Sequence, residues 1–370
     1  MKVISISSDR NLFEENSDVR KRLVAQSSCV REMHVIVFAK KSLGFENVVV
    51  DNLCIYPTNT KSRIGYILKG IQIGLYILKK NKEGKILVTT QDPHDTGIVG
   101  FVISKLKKIP LQVQVHTDIF TDNFIKGPRL NKIRVIFARF IIPRATGIRV
   151  MSRRVYDSLI KRFGEKIESK IFVLPVYMKL DSFVVTKKRE KNKKEIVILV
   201  VSRFEPEKNV SLSLEVMKKV LDKIPYAKMI LVGDGGERQH LERLSKQLGI
   251  SKQVEFIGWQ TELKDHYLNA DIFLNTSNYE GYGRTLVEAV IASCAVVTTD
   301  VGIVGDVLTK ARVCSVGDLE CLSSNVIELC LNNNERYILS SEAIKEVSKK
   351  AVFGKEIYYK KLSESWCDLF

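Results

Sequence analysis

The sequence predicts an α/β fold built from two mostly parallel, doubly wound sheets. Three observations predict it. Short β-branched strands alternate with segments of helical period along the chain, the pattern of repeated strand–helix–strand units. Residues 187–194, Lys-Lys-Arg-Glu-Lys-Asn-Lys-Lys, interrupt that alternation with a charged stretch free of apolar side chains, as a linker does. Residues 196–201, Ile-Val-Ile-Leu-Val-Val, then restart it, with the continuous apolar run expected of a strand covered on both faces. The expected divisions are a first domain at 1–186, a linker at 187–194, a second domain at 195–345 and a C-terminal helical segment at 346–370.

Taken in order, residues 2–7 alternate and are β-branched, which makes them the first strand. Ser17 is placed to cap a helix through residues 20–25, with Glu14 and Glu15 at its approach. Residues 34–39 and 47–50 are the next strands. Residues 63–80 place apolar side chains at 64, 67, 68, 71, 75 and 78, a helical period. A strand at 86–90, the loop Gln91-Asp-Pro-His-Asp95, a helix at 96–107 and a strand at 111–117 follow. A helix at 130–142 and short strands at 148–150 and 171–174 complete the first half. The second half reads as strand 196–201, helix 210–221, strand 227–232, helix 237–248, strand 254–257 and helix 262–269. Strand 271–275, helix 285–292, strand 295–299 and helix 318–332 come next. Residues 340–370 are expected to be helical and to pack back on the first domain.

Hydrophobic residues make up 45% of the chain, a globular composition. No run of about 18 apolar residues occurs, so no membrane-spanning helix is expected. The first residues lack the apolar core and cleavage site of a signal peptide, and a cytoplasmic protein is expected. The seven cysteines are scattered, without C-x-x-C pairs or Cys/His metal spacing. Reduced thiols are therefore expected, with neither a disulfide nor structural zinc.

The net charge of +17 lies wholly in the first half: residues 1–194 carry 38 Lys+Arg against 17 Asp+Glu, and residues 195–370 carry 21 against 25. Residues 126–170 alone hold 13 basic and 3 acidic side chains. Such a field attracts polyanions or an anionic lipid surface; a solvated basic face is the plainer reading. On the predicted helix, Arg129, Lys132 and Arg139 fall within roughly 80° of one another. An anionic membrane surface or an anionic acceptor is the expected partner of this half. No nucleic-acid partner is expected, because no binding motif or basic strip with interleaved aromatics occurs.

The most informative stretch is Asn278-Tyr-Glu-Gly-Tyr-Gly-Arg-Thr-Leu-Val-Glu-Ala289. Gly281 and Gly283 precede a helix start, where backbone amides can seat an anion. Glu280 and Glu288 bracket that seat with acceptor oxygens, which fits a phosphate ester with hydroxyls, such as a nucleotide sugar. Arg203 and Lys208 lie on the loop after the buried strand 196–201, where two cations can neutralise a diphosphate. Gly233-Asp-Gly-Gly236 follows the next strand; a plain tight turn and a close approach to ligand are equally open for it. His116 ends a strand of the first domain. It reads either as a structural hydrogen-bonding group or as a contact to sugar or acceptor hydroxyls. Asp92, His94 and Asp95 are a weaker case of the same kind. Asp234 is not half of a D-x-D motif, and no metal is assigned.

In this order and spacing, Ser202-Arg-Phe-Glu-Pro-Glu-Lys208, Gly233-Asp-Gly235 and the Glu280/Glu288 pair resemble the retaining, metal-independent glycosyltransferases of family 4. The resemblance implies a GT-B fold: two Rossmann-like domains facing a cleft, with a C-terminal helix crossing back to the N-terminal domain. It implies transfer of a sugar from a nucleotide diphosphate sugar, with retention and without a cofactor. The expected acceptor is a glycan or lipid-linked acceptor of cell-surface polysaccharide biosynthesis, the lipid-linked form being suggested by the basic first half. It assigns Arg203 and Lys208 to the donor diphosphate and Glu280 to the donor sugar. Gly233 and Gly235, together with Gly281, Tyr282, Gly283, Arg284 and Thr285, fall to the donor, Glu288 to the ribose, and His116 to a place beside the donor sugar. The sequence departs from the family in the loop after the first strand, Ser7-Ser-Asp-Arg-Asn-Leu-Phe13, which has no glycine; Ser8 or Arg10 are the candidates there. Arg284 stands where an apolar residue is commoner. Two other readings use the same fold: a nucleotide-sugar epimerase, and a non-catalytic nucleotide-sugar-binding protein. A nicotinamide dehydrogenase is disfavoured because no G-x-G-x-x-G follows the first strand.

Overall fold

A computed structural model describes residues 1–80, 83–180, 195–351 and 353–370. The expected linker at 187–194 lies outside the described residues. The chain divides into two compact units, Met1–Tyr177 with Phe353–Phe370, and Met178–Val352.

The first unit is built on eight strands: β1 Lys2–Ser7, β2 Glu32–Val37, β3 Val48–Val50, β4 Leu53–Pro57, β5 Ile86–Thr90, β6 Leu111–Val115, β7 Gly147–Val150 and β8 Ile171–Val173. Their order in the sheet is β3-β4-β2-β1-β5-β6-β7-β8. Neighbours run parallel except β3 and β4, which form an antiparallel hairpin. β4 carries no sequence signal of its own: every residue in Leu-Cys-Ile-Tyr-Pro is apolar or weakly polar, so no alternation marks it, and its proline argues against a strand. Helices α1 Asp18–Ser27, α2 Arg63–Lys80, α3 Asp95–Lys107, α4 Asp122–Lys126, α5 Arg129–Ile141 and α6 Arg153–Phe163 connect the strands. Ser17 caps α1 as expected, its Oγ accepting from the Arg20 amide at 3.2 Å. Two helices went unread. Thr121 caps α4 and Ser152 caps α6, and α6 presents Val155, Tyr156 and Leu159 to the interior.

The last helix, α13 Lys355–Cys367, belongs to this first unit. Its Tyr358, Leu362 and Trp366 join Val3, Val35 and Leu87 in one buried cluster. Two buried polar anchors fix it. Arg149 donates to the Leu174 and Pro175 carbonyls at 2.9 and 2.7 Å and to the Tyr358 hydroxyl at 2.7 Å. Trp366 Nε1 donates to Gln112 Oε1 at 3.0 Å. The segment that returns is 353–370 rather than 346–370, because residues 346–350 finish a preceding helix of the second unit.

The second unit has six parallel strands: β9 Ile196–Val201, β10 Ala227–Val232, β11 Val254–Gly258, β12 Ile272–Asn275, β13 Ala295–Thr299 and β14 Arg312–Cys314. Their order is β11-β10-β9-β12-β13-β14, so β9 lies inside the sheet, and five of its six residues are buried. The helices are α7 Val210–Leu221, α8 Arg238–Gln247, α9 Lys264–Asn269, α10 Arg284–Ile291, α11 Leu319–Leu331 and α12 Asn333–Lys350.

The structure corrects the expectation of seven reduced thiols. Cys314 and Cys321 form a disulfide. Cys314 ends β14 and Cys321 sits in the first turn of α11, where its amide donates to the Asp318 cap at 3.0 Å. The tight connection through Gly317, at φ +83°, brings the two Cα atoms to 5.8 Å, a bondable separation. Metal-type spacing was the wrong test for a pair that a strand-to-helix turn brings together. Among the described residues no helix is long and apolar enough to cross a membrane.

Candidate donor site at the strand ends of the second unit

Open α/β sheets bind ligands beyond the carboxyl ends of their strands, where helix starts and loops converge. In the second unit the loops after β9, β10, β12 and β13 meet there. The β9 loop holds Arg203 and Lys208. The β12 loop holds Glu280. Lys208 Nζ lies 2.6 Å from Glu280 Oε1, with each side chain only 14% exposed. Glu280 Oε1 also accepts from Ser277 Oγ at 2.9 Å. The two loops are stitched further: the Asn278 amide donates to the Glu207 carbonyl at 2.8 Å, and Thr276 Oγ1 to the Asn209 carbonyl at 2.9 Å. Asn209, in the left-handed region at φ +46°, turns the β9 loop into α7. Arg203 is mostly exposed and pairs with Glu207 at 2.8 Å.

Gly233 and Gly235 are required, for a reason the sequence did not reveal. A Cβ on Gly233 would lie 1.8 Å from the Ser202 carbonyl oxygen, and one on Gly235 would lie 2.4 Å from that of Phe204. Their bareness lets the β10 loop press on the β9 loop, and the Phe204 amide donates to the Asp234 carbonyl at 2.8 Å. They shape the bed under Arg203. A Cβ on Gly302, after β13, would likewise stand 2.5 Å from the Tyr282 carbonyl oxygen, and the Ile303 amide donates to that oxygen at 3.0 Å. Gly283, at φ +89°, is the N-cap of α10, which begins at Arg284, one residue before the expected Thr285.

Glu288 is not a surface carboxylate. It is 6% exposed, and its Oε2 accepts from the hydroxyl of the fully buried Tyr267 at 3.0 Å. Arg284, largely exposed, approaches its other oxygen at 3.6 Å. Burial raises the Glu288 pKa, against the pull of Arg284 and then of the Tyr267 hydrogen bond. Tyr282 is 7% exposed, and burial pushes its pKa up, Asp306 adding to the effect. Its hydroxyl and that of Ser202 are buried without a hydrogen-bond partner among the described residues. Such atoms cost free energy unless something else satisfies them. Sequence reasoning missed Ser202, Ser277 and Tyr267. Ser202 directly precedes Arg203 and Ser277 precedes Asn278, so position could have flagged both. Nothing local marks Tyr267.

His116 belongs to the first unit, just beyond β6. Its Nε2 is 3.1 Å from Gln114 Oε1. Gln114 Nε2 donates to Thr89 Oγ1 at 3.2 Å, which turns the amide oxygen toward the histidine. The ring therefore carries its proton on Nε2 when neutral. Burial holds its pKa down to about 4, with the Arg149 charge adding to the effect and Asp92 opposing it. Thr89 Oγ1 in turn donates to Gln112 Oε1 at 3.4 Å, so a hydrogen-bonded chain runs from Trp366 to His116. Nearby, His94 caps α3, its Nδ1 accepting from the Asp95 amide at 2.8 Å; Asp92 accepts from the His94 and Thr96 amides, and Asp95 pairs with Arg134 at 2.9 Å. In the β1 loop, the Ser8 amide donates to Gln91 Oε1 at 2.8 Å and Arg10 Nε to the Phe38 carbonyl at 3.2 Å.

Residues 182–346 match the family glycosyl transferases group 1. A similar curated protein is the alpha-monoglucosyldiacylglycerol synthase of Acholeplasma laidlawii, 25% identical over 252 residues, which are 62% of this chain and 63% of that one. The chain thus spans less than two thirds of that relative's length. Among solved structures, Anabaena Alr3699/HepE in complex with UDP and glucose superimposes with a TM-score of 0.76 at 16% identity, over 100% of both chains. A sucrose-phosphate synthase from Thermosynechococcus elongatus gives 0.80 at 16% identity, over 100% of this chain and 99% of that one. At such identities the likeness establishes the fold, which is GT-B.

Proposed function

Because residues 182–346 match glycosyl transferases group 1, we propose that this protein is a retaining, metal-independent glycosyltransferase. It moves a sugar from a nucleotide diphosphate sugar to a hydroxyl of a glycan or lipid-linked acceptor. The observation that carries the reading is the meeting of Lys208 and Glu280 at 2.6 Å, on neighbouring strand ends, with Arg203 exposed on the same loop as Lys208. A cation and a carboxylate held so close, with a second cation on the same loop, match a ligand that presents phosphate and hydroxyl groups together. The orphan hydroxyls of Ser202 and Tyr282 offer two further hydrogen bonds to such a ligand. Anabaena HepE, of the same fold, holds UDP and glucose.

In this reading Arg203 and Lys208 neutralise the departing diphosphate, the place where charge develops. The acceptor hydroxyl attacks the anomeric carbon on the face the phosphate leaves. The bond from carbon to phosphate oxygen breaks as the bond from carbon to acceptor oxygen forms, and the hydroxyl proton passes to the departing phosphate. Glu280, paired with Lys208 and Ser277, holds sugar hydroxyls rather than attacking carbon, unlike the nucleophile of a double displacement. Glu288, braced by Tyr267, accepts from ribose hydroxyls.

The experiment is thermal unfolding against a panel of nucleotide sugars, followed by transfer assays with the donor that protects best. A saturating donor at about 100 times its Kd stabilises by roughly 2.7 kcal/mol. A flat response to every nucleotide sugar and free nucleoside diphosphate overturns the reading. A covalent sugar–enzyme adduct trapped on turnover overturns the same-face mechanism.

A further inference from the structure

We propose that the first unit docks on an anionic phospholipid bilayer through the outward face of α5. The inward side of that helix, Asn131, Val135, Ala138 and Ile141, is buried and completes its packing. Its outward side is apolar all the same: Ile133, Ile136, Phe137 and Phe140 are 50%, 64%, 39% and 47% exposed. At about 100° per residue these four lie within roughly 100° of arc, with Arg129 inside that arc and Lys132 and Arg139 along one flank. The helix holds no acidic residue.

The neighbours extend the pattern. The Arg144 guanidinium lies 4.0 Å over the Phe140 ring, and Phe101 of α3 meets Phe140 edge-on at 5.3 Å. Lys105 stands over Phe101 at 5.7 Å, and Leu106 beside it is 61% exposed. The aromatics are thus apolar bodies tipped with cations, the arrangement suited to a boundary between headgroups and acyl chains. α2 packs on α3 and α3 on α5. Across all three helices the one acidic residue is Asp95, and Arg134 neutralises it at 2.9 Å. No carboxylate of these helices is left to repel lipid phosphate.

Charge selects the occupant. A second copy set face to face would bring Arg129, Lys132 and Arg139 against the same cations. A nucleic acid would meet the cations but leave Ile133 and Ile136 in water. An anionic bilayer accepts both, apolar side chains into the acyl boundary and cations to the headgroups.

The test is co-sedimentation of the full chain with vesicles of phosphatidylcholine alone, or with roughly one third phosphatidylglycerol to supply the surface charge. The wild type is expected to pellet with the anionic vesicles only, and less so as salt shortens the Debye length. Arg129→Gln/Lys132→Gln/Arg139→Gln should weaken that partition about a hundredfold, and Ile133→Ser/Ile136→Ser at least about tenfold. Unchanged thermal midpoints would show both variants folded. Three results overturn the proposal: wild type that stays in the supernatant, variants that pellet like wild type, or a wild-type dimer that Ile133→Ser/Ile136→Ser dissolves while vesicles bind neither. A wild type that retains a DNA oligonucleotide but no vesicle overturns it too. The assay contains no sugar donor, so its failure leaves the transferase reading standing.

Discussion

Lys208 and Glu280, 72 residues apart, form a direct ion pair at 2.6 Å that ties the loop after β9 to the loop after β12. Both are largely shielded from solvent, so each neutralises the other in the folded protein. In a double-mutant cycle, Lys208→Ala and Glu280→Ala should each destabilise the fold, and the pair should show a coupling of about 1–3 kcal/mol. Urea unfolding of the four proteins measures it. Either single variant should lose transfer activity, with far-ultraviolet circular dichroism unchanged. Near-normal turnover would remove both residues from the chemistry.

Gly233→Ala should act on folding before it acts on any ligand. The new methyl group would meet the Ser202 carbonyl oxygen at 1.8 Å, at a backbone φ of +142°. A cost of about 3 kcal/mol or more is expected from overpacking and backbone strain combined. Differential scanning calorimetry without any nucleotide should show it. An unshifted midpoint with weakened donor binding would return Gly233 to direct ligand contact.

His116 should make stability depend on pH on the acid side. Its folded pKa of about 4 lies below the ordinary histidine value near 6.5, so the unfolded chain binds the proton more readily. The contribution is present above pH 6.5 and is lost as pH falls from 6.5 toward 4, by up to about 3 kcal/mol. His116→Gln should flatten the unfolding free energy over that window. A slope unchanged by the substitution would place the titration elsewhere.

The Cys314–Cys321 disulfide predicts a thiol count. Under denaturing conditions without reductant, alkylation should label the five free cysteines, and after reduction all seven. Mass spectrometry reads the difference directly. Cys321→Ser should cost about 2 kcal/mol for so short a loop. Seven labels without reductant would show the bond absent in solution.

Much of this was legible in the sequence, and the misses have physical reasons. The buried run at 196–201 identified β9 because a strand covered on both faces has to be apolar throughout. The loop cations were legible because they follow that strand directly. β4 escaped because it has no alternation and ends in proline. The disulfide escaped because a strand-to-helix turn, and not a spacing rule, brings its cysteines together. The roles of Gly233 and Gly235 could not be read at all: a glycine facing a ligand and a glycine facing a neighbouring carbonyl look alike until both backbones are placed. Tyr267 was invisible for a similar reason, since its partner Glu288 lies 21 residues away.

The return of α13 to the first sheet has a consequence for the order of events during synthesis. The second unit is an insertion, in chain terms, between residue 177 and residue 353. While the ribosome is still making that insertion, Gln112 lacks Trp366 and Arg149 lacks the Tyr358 hydroxyl. The first half therefore emerges first and matures last, holding an open seam beside β6 and β7 until the final helix arrives.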